Sequence, residues 1–555
     1  MSNSGRQFPH HVPVLIVGAG PVGMALAAEL GRWRVDCLVV DMTDGTIDHP
    51  RASALNSRTM EFCRRWGIAD EVRAVGTPPE FPHTALYVTS LAGWEIARIE
   101  RPSHGGGSSP LPHTPERPQR CNQIWFNPVL RRHIDGLASV TVRDRCRFDS
   151  FVEIDDGITA RLTDLDGGAP VEIAADYLVA CCGGRSAAPE ALGQRAGDDS
   201  VLDHSINIFF RVEDLWTLHD KGKAALTFFI GAEGMWGGLT AQDGRALWRV
   251  TLHGTERDVD PARIDADTVL RRAFGGPIDY EILNVVPWTR REWVADRYWQ
   301  GRIFLAGDAA HQNSPTGGFG LNTGMGDAVD LGWKLAAAVQ GWAGSGLLAS
   351  YEAERRPVAL RNVTEAASNF RRYTLPDTSA IEADTDAGAR LRKEIGEGLR
   401  RTQSRMVLSD GIALGYRYEG SPLCVADGTP APADETHRYT PSARPSGRAP
   451  HAWLGDGTST LDLFTTGFTL LRLGRPAPSG ESLVAAARAR GLPLRAVTIE
   501  DPAVEALYER CLVLVRPDGH VAWRADQEPE NVMALIDRIR GGTLDENREI
   551  EMTAV

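Results

Sequence analysis

Several features that would settle a function class on their own are missing from this 555-residue chain. It holds no uninterrupted apolar run of about 18 residues, so no membrane-spanning helix and no membrane partner are expected. Residues 1–11 are polar and contain no apolar signal core, which reads as a cytoplasmic protein. The eight cysteines show no framework spacing and no C-x-x-C, as suits a reducing compartment. The adjacent Cys181 and Cys182 read as two reduced thiols at a strand end. No histidine spacing fits a metal site, and His10 and His11 sit in a ragged terminus, so no metal is expected. A G-x-S-x-G elbow and a P-loop are both absent. Basic excess is lacking too: 60 Lys and Arg face 73 Asp and Glu, and the formal charge of −13 argues against a nucleic-acid partner.

What is present begins at Val12. The apolar, β-branched run Val12–Val17 leads into Gly18-Ala19-Gly20-Pro21-Val22-Gly23, a G-x-G-x-x-G. A helix-compatible stretch follows from Met24 to Arg32, then a second apolar run, Cys37–Val40, ending on Asp41. Strand, glycine turn, helix, strand and acid in that order make a dinucleotide-binding fingerprint. Gly18 allows the tight turn, Gly20 lets backbone approach a pyrophosphate, and Gly23 lets the helix close on the strand. Pro21 and Val22 open that helix, whose unpaired N–H groups favour phosphate. Asp41 is placed to accept bonds from the adenosine ribose and would repel a 2′-phosphate, which favours FAD or NAD over NADP.

Further along, residues 102–119 are rich in Pro, Gly, Ser and His and read as a mobile surface loop. Gln123–Ile134 reads as a helix, and residues 139–180 and 205–253 alternate in the manner of strands, with a helix near 266–274. This middle portion is expected to be a mostly antiparallel sheet carrying a lid or pocket. Trp236, Trp248, Arg249 and His253 are candidates to line it, although each reads first as core or surface. The apolar strand Arg302–Ala306 ends on Gly307-Asp308, followed by a glycine-rich turn and a long helix. Residues 375–450 are polar, and Pro-rich over 421–450, which reads as a linker; the last hundred residues alternate strands and helices.

Three segments carry a family resemblance: the glycine fingerprint, Gly307-Asp308-Ala309-Ala310-His311 with Ser314–Gly324, and Leu348–Val358. Over residues 12 to about 370 the chain resembles the class A flavoprotein aromatic hydroxylases, single-component FAD monooxygenases of phenols and aromatic polyketides. The resemblance implies a Rossmann-like α/β FAD-binding domain (1–80, 112–190 and 285–375) with an interleaved, mostly antiparallel substrate-binding domain (81–111 and 191–284). Residues 376–449 form a helix and linker. Residues 450–545 resemble the thioredoxin-like α/β tail of a subset of these enzymes, here without C-x-x-C and so without dithiol chemistry.

On that resemblance Asp308 binds the FAD ribityl chain or O3′, and Arg51 and Gln123 contact FAD. Pro315 lies in the flavin turn, and the backbone N–H groups near Gly320, Leu321 and Asn322 face the flavin N1/O2 edge. There a helix N-terminus favours negative charge. His311 follows the acid and reads as a packing residue. The segment Leu178–Ser186 resembles the family's second fingerprint but carries Cys182 where an acid is expected. A thiol is a poor acceptor, so handling of the nicotinamide cofactor is the step placed in doubt, with Arg185 and its neighbours a possible repair.

The implied reaction uses NADPH or NADH as a transient co-substrate and O2 to hydroxylate a small phenolic or polyketide-type aromatic through a flavin C4a-hydroperoxide. Baeyer–Villiger oxidation or epoxidation by the same chemistry is one alternative. An FAD-binding partner protein with impaired NAD(P)H reduction is another. No catalytic base is assigned, and a homodimer is a family-level expectation.

Overall fold

The computed structural model describes residues 8–542 apart from 101–110, 169, 185–188, 191, 195, 258 and 408. Two sheets and a smaller C-terminal sheet organise them.

The first sheet grows from the fingerprint. Strand His11–Val17 pairs in parallel with Cys37–Val40 on one side and with Pro170–Ala180 on the other. Val140–Arg143 extends one edge and Ile303–Leu305 the other, both in parallel. Val14, Leu15 and Ile16 are fully buried, as a strand covered on both faces requires. The helix Pro21–Arg32 packs on the long helix Phe319–Val339. Two glycines make the turn possible. Gly18 sits at φ 109°, and a Cβ there would lie 2.6 Å from the Cys181 carbonyl oxygen. A Cβ on Gly23 would lie 1.9 Å from the Gly18 oxygen.

The second sheet has seven strands, in the order Glu281–Arg291, Val201–Arg211, Leu247–Leu252, Gly234–Ala241, Leu226–Gly231, Ala85–Val88 and Glu95–Ile99. All its pairings are antiparallel except that between Leu226–Gly231 and Ala85–Val88. Its two faces differ. Ile206, Ile208, Phe210, Trp236, Leu239, Trp248 and Val250 form an apolar core with the helix Ala266–Phe274. The opposite face carries Ser205, Asn207, Thr240 and Thr251, buried although polar.

The C-terminal strands Leu494–Ile499, Phe468–Leu473, Leu512–Val515 and Val521–Ala525 neighbour one another in that order. The first pair is parallel and the others antiparallel, with helices Glu481–Ala489, Pro502–Tyr508 and Val532–Ile539, a thioredoxin-like arrangement.

Two sequence expectations are altered by packing. Residues 102–110 of the stretch 102–119 lie outside the described residues, but Thr114 and Glu116 toward its end are buried, held by Glu61 and by Arg64 and Arg73. The stretch 415–450 is irregular, as its prolines dictate, yet Tyr416, Tyr418, Leu423 and Arg448 are buried against both neighbours and it does not behave as a free linker.

Buried charge joins the C-terminal sheet to the first. Arg516 donates to Glu354 (2.5 and 2.8 Å), Asp330 (3.0 Å) and Asp518 (2.7 Å). Lys334 donates to Asp330 (2.7 Å) and Glu354 (2.5 Å), and Ser421 to Glu354. Burial pushes the Glu354 carboxyl upward, but Arg516 and Lys334 outweigh it and hold it at about 2. Burial wins at Asp330, whose pKa rises well above 3.8 despite Lys334 beside it. Two cations thus face three buried acids, Asp330, Glu354 and Asp518, each within hydrogen-bond distance of at least one of them. Removing one partner of a buried pair costs about 3–5 kcal/mol. Arg516→Met is therefore expected to lose a stability of that order in urea unfolding, and Arg516→Met with Glu354→Gln to lose less.

His520 lies between Tyr416 and Tyr418, and burial lowers its pKa from 6.5 to about 4, against the pull of Asp518. Between those values the unfolded chain binds a proton that the folded chain refuses, so stability falls as pH falls from 6.5 toward 4. The limiting slope is about 1.4 kcal/mol per pH unit. His520→Phe should flatten this part of the urea midpoint's dependence on pH between 7 and 5.

Candidate functional site

The two sheets meet where the glycine turn, the Gly307-Asp308 turn and the polar face of the second sheet come together. Asp41, at the end of its strand, is already oriented. Its Oδ2 accepts from the Ala19 N–H (2.7 Å), and its Oδ1 accepts from the Thr43 N–H (2.8 Å) and hydroxyl (2.7 Å). Those bonds fix the carboxylate beside the glycine turn with accepting capacity to spare.

Asp308 is different. No described residue donates a hydrogen bond to its carboxylate, and its accessible area is that of an exposed residue. It is nevertheless ringed by protein. Burial raises its pKa above the ordinary carboxylate value while His311 and Arg51 draw it back down. Both descriptions hold for a group lining a narrow cleft, and the ringed one governs its electrostatics. Arg51, whose carbonyl accepts from the Gln123 N–H (3.2 Å), keeps its guanidinium free of hydrogen bonds to described residues. The Gln123 side chain is likewise unbonded at the first position of the helix Gln123–Asp135, which Asn122 caps by accepting from Ile124 N (3.0 Å).

The long helix begins at Phe319, capped only by the backbone of Gly318. The N–H groups of Phe319, Gly320 and Leu321 therefore have no intrahelical acceptor, and they sit at the positive end of the helix. Asn322 starts the intrahelical ladder, and its side chain is fully engaged. Its Oδ1 accepts from Asn56 N (2.9 Å) and Thr59 Oγ1 (2.7 Å), and its Nδ2 donates to Ala54 O (2.9 Å) and Gly318 O (2.7 Å). The Asn322 side chain anchors the helix start, while open donors lie at the residues before it. Pro315 is exposed within the preceding turn.

Behind the turn lies a buried network that sequence reasoning missed. Asp327, one helical stretch below Gly320, accepts from Gly307 N (3.1 Å), pairs with His311 Nε2 (2.8 Å) and takes Arg355 Nε (2.8 Å). Burial lowers the His311 pKa, but Asp327 more than reverses this and raises it above 6.5. His311 is thus a hydrogen-bonded member of the turn rather than a packing residue. The signal was present in the segment Leu348–Val358, whose Arg355 needed a buried acid as partner.

Among the four candidates in the second sheet, Trp236 and Trp248 belong to the apolar core. Arg249 and His253 lie on the polar face with Thr251, beside Asn207 and Phe209 of the next strand. Alternation along Leu247–Leu252 separates Trp248 from Arg249, whereas Trp236 reaches the core at a register shift of its strand. Arg290 and His49 join that face from positions no motif marked. Cys182 is half-buried after Cys181, and Arg185 lies outside the described residues. Among the described residues no cluster could hold a metal and no helix is long and apolar enough to cross a membrane.

These glycines, acids and unpaired donors fit a flavin dinucleotide, and the relatives agree. The FAD binding domain family matches residues 11–366, and the aromatic-ring hydroxylase C-terminal family matches residues 443–542. A putative polyketide hydroxylase of Streptomyces halstedii is 35% identical over 94% of this chain and 94% of its own. Among solved structures, chromopyrrolic acid-soaked RebC with bound 7-carboxy-K252c is similar at TM-score 0.89 and 43% identity, covering 97% of this chain and all of that one. Aklavinone-11 hydroxylase in complex with FAD and aklavinone follows at TM-score 0.79 and 31% identity, covering 96% and 99%. The chain belongs to the FAD-dependent aromatic-ring monooxygenases, with the Rossmann-like, substrate-sheet and thioredoxin-like parts that family carries.

Proposed function

We propose that this flavin monooxygenase hydroxylates a polycyclic phenolic or polyketide-type aromatic, using NADPH or NADH and O2, with FAD lying between the glycine turn and the long helix. When bound, FAD supplies the redox and oxygen-transfer chemistry. The chain's part is to bind it, keep water out and hold the aromatic against it. Gly18, Gly20, Pro21, Val22 and Gly23 take the pyrophosphate, and Asp41 the ribose. Asp308 accepts from the sugar-alcohol hydroxyls, with Arg51 and Gln123 alongside. The N–H groups at Gly320 and Leu321 stabilise negative charge on the flavin edge, while Asn322 secures the helix start and Pro315 shapes the turn. The division into segments 1–80, 112–190 and 285–375 for FAD, 81–111 and 191–284 for substrate, 376–449 as helix and linker, and 450–545 as the thioredoxin-like packing domain belongs to the same reading.

One observation supports it most: a carboxylate without a hydrogen bond from described residues, Asp308, beside a helix start with open donors. The aromatic class is suggested by the polycyclic ligands named for the RebC and aklavinone-11 hydroxylase structures.

Hydrogen bonds to a charged group contribute about 1.5–3 kcal/mol. Asp308→Ala should therefore weaken FAD binding roughly tenfold to a hundredfold, read as the flavin absorbance retained after gel filtration and as a dissociation constant from flavin fluorescence. Unchanged retention would remove Asp308 from the site.

Reduction of the flavin by NADPH or NADH under argon tests the electron source. Bleaching accelerated by one aromatic of a phenol and polyketide panel is the expected result. Cys182→Asp is expected to raise the reduction rate if the thiol tunes that step. Absence of bleaching with either nucleotide in both proteins would require another reductant.

A further inference from the structure

Away from the dinucleotide turn, a cavity of about 250 Å³ opens where the C-terminal part docks on the helices of the first sheet. The helices Pro21–Arg32 and Ser57–Arg65 contribute Arg32, Arg58, Arg64 and Arg65 to its wall, and the C-terminal part contributes Asp462 and Gly519. Pro21–Arg32 starts at the glycine turn, so Arg32 stands about 16 Å from that turn at 1.5 Å per residue. The cavity is therefore separate from the pyrophosphate position.

The carboxylates around it are already occupied. Asp462 accepts from Arg64 Nε and Nη2 (2.7 Å each) and from the Ser459 N–H (2.9 Å). Glu61 accepts from Arg58 Nη1 (2.9 Å), the Thr114 hydroxyl (2.6 Å) and Arg448 Nε (3.0 Å). Glu29, behind the wall, takes Arg32 Nη1 on one oxygen (3.1 Å) and Trp66 Nε1 on the other (2.7 Å).

Arg65 is left over. Its side chain is 11% exposed, and its Nη1 is buried without a hydrogen bond. The closest carboxylate oxygen among the described residues is the Glu29 oxygen that Trp66 holds, 3.8 Å away. Burial draws the Arg65 pKa down to about 10; Glu29 pulls it back, and Arg32 and Arg58 oppose that pull. Arg65 stands in the last turn of its helix, where the helix end offsets only about half a charge.

A second guanidinium points to the same place. A Cβ on Gly519 would lie 3.5 Å from Arg58 Nη2 and 3.7 Å from Arg65 Nη2. Gly519, at φ 85°, leaves that space open. Phe62 lies between the two arginines, its ring centre 4.6 Å from Arg58 and 5.9 Å from Arg65. Two like charges meeting in a half-enclosed space repel one another and draw in an anion.

We infer that this cavity binds a phosphate dianion, held chiefly by Arg65 and Arg58, with Arg32 and Arg64 adding charge. Guanidinium forks grip phosphate oxygens bidentately, and a tetrahedral dianion can meet several of them at once. At about 30 Å³ per water the cavity has room for a phosphate and part of an ester group, which Phe62, Leu461 and Phe464 would cover. A free phosphate ion and a phosphomonoester present the same dianion. Occupation would tie Ser57–Arg65 to the C-terminal part. The other end of that helix holds Asn322 through Asn56 and Thr59, so the site links C-terminal docking to the start of the long helix.

The test uses the full FAD-loaded protein at fixed ionic strength. Calorimetric titration with inorganic phosphate is expected to show one site of submillimolar dissociation constant. Phosphate, and not chloride, is expected to raise the thermal unfolding midpoint. Arg65→Met should weaken phosphate binding roughly tenfold or more, and Arg65→Lys should keep part of the affinity. In chloride Arg65→Met should be as stable as the parent, because the charge it removes has no hydrogen-bonded partner. Phenyl phosphate binding more tightly than inorganic phosphate, and losing that affinity in Arg65→Met, assigns the dianion to an ester; the reverse order assigns it to the free ion. No phosphate binding at millimolar concentration, equal stabilisation by chloride, unchanged phosphate affinity in Arg65→Met, or an Arg65→Met protein destabilised equally in chloride and in phosphate would each overturn the inference.

Discussion

Two buried carboxylates on one helix hold this molecule together. Asp327 and Asp330 are three residues apart on Phe319–Val339 and fully buried. Asp327 gathers Gly307 N, His311 and Arg355, and so fixes the turn that presents Asp308. Asp330 gathers Lys334 and Arg516, and so fixes the C-terminal sheet. The next helix repeats the division: Arg355 turns to the first acid and its neighbour Glu354 to the second cluster. A charge without its partner is expensive in a protein interior, so the flavin-side turn and the C-terminal docking both depend on one rigid helix. This gives the thioredoxin-like part a physical role without any dithiol: Arg516 supplies charge to an acid pair that the first sheet leaves unbalanced.

The same electrostatic standard makes the polar sheet face informative. Around Asp327 and Glu354 the positive charges are matched at hydrogen-bond distance. Around Arg249 and Arg290 they are not, although Arg290 is as deeply buried as most core residues. Arg290 lies where the second sheet meets the Ser314–Thr316 turn and bonds both hydroxyls, while Arg249 bonds the Pro50 carbonyl.

Local signals in the chain carried the fingerprint. The spacing of Gly18, Gly20 and Gly23 between two apolar strands fixes a turn whose partners are within about twenty residues, and Asp41 ends the second strand. The Gly307-Asp308 turn, the helix Ala266–Phe274 and the alternation of the middle strands were legible for the same reason, because backbone periodicity is a short-range property. Trp248 and Arg249 shared one strand, and only their parity distinguished core from site.

What only the tertiary structure decided is the pairing of buried charged and polar groups across the chain. His311 with Asp327, Arg516 with Glu354, and His49 with Asn207 are joined across 16, 162 and 158 positions of chain. No spacing rule encodes such pairs, since each depends on which strands lie side by side and which helix crosses them. The sequence by itself therefore determined the nucleotide fold and its glycine turn. Folding determined which buried arginines found a carboxylate within hydrogen-bond distance, because compensation of a buried charge depends on distance in space and not on distance along the chain.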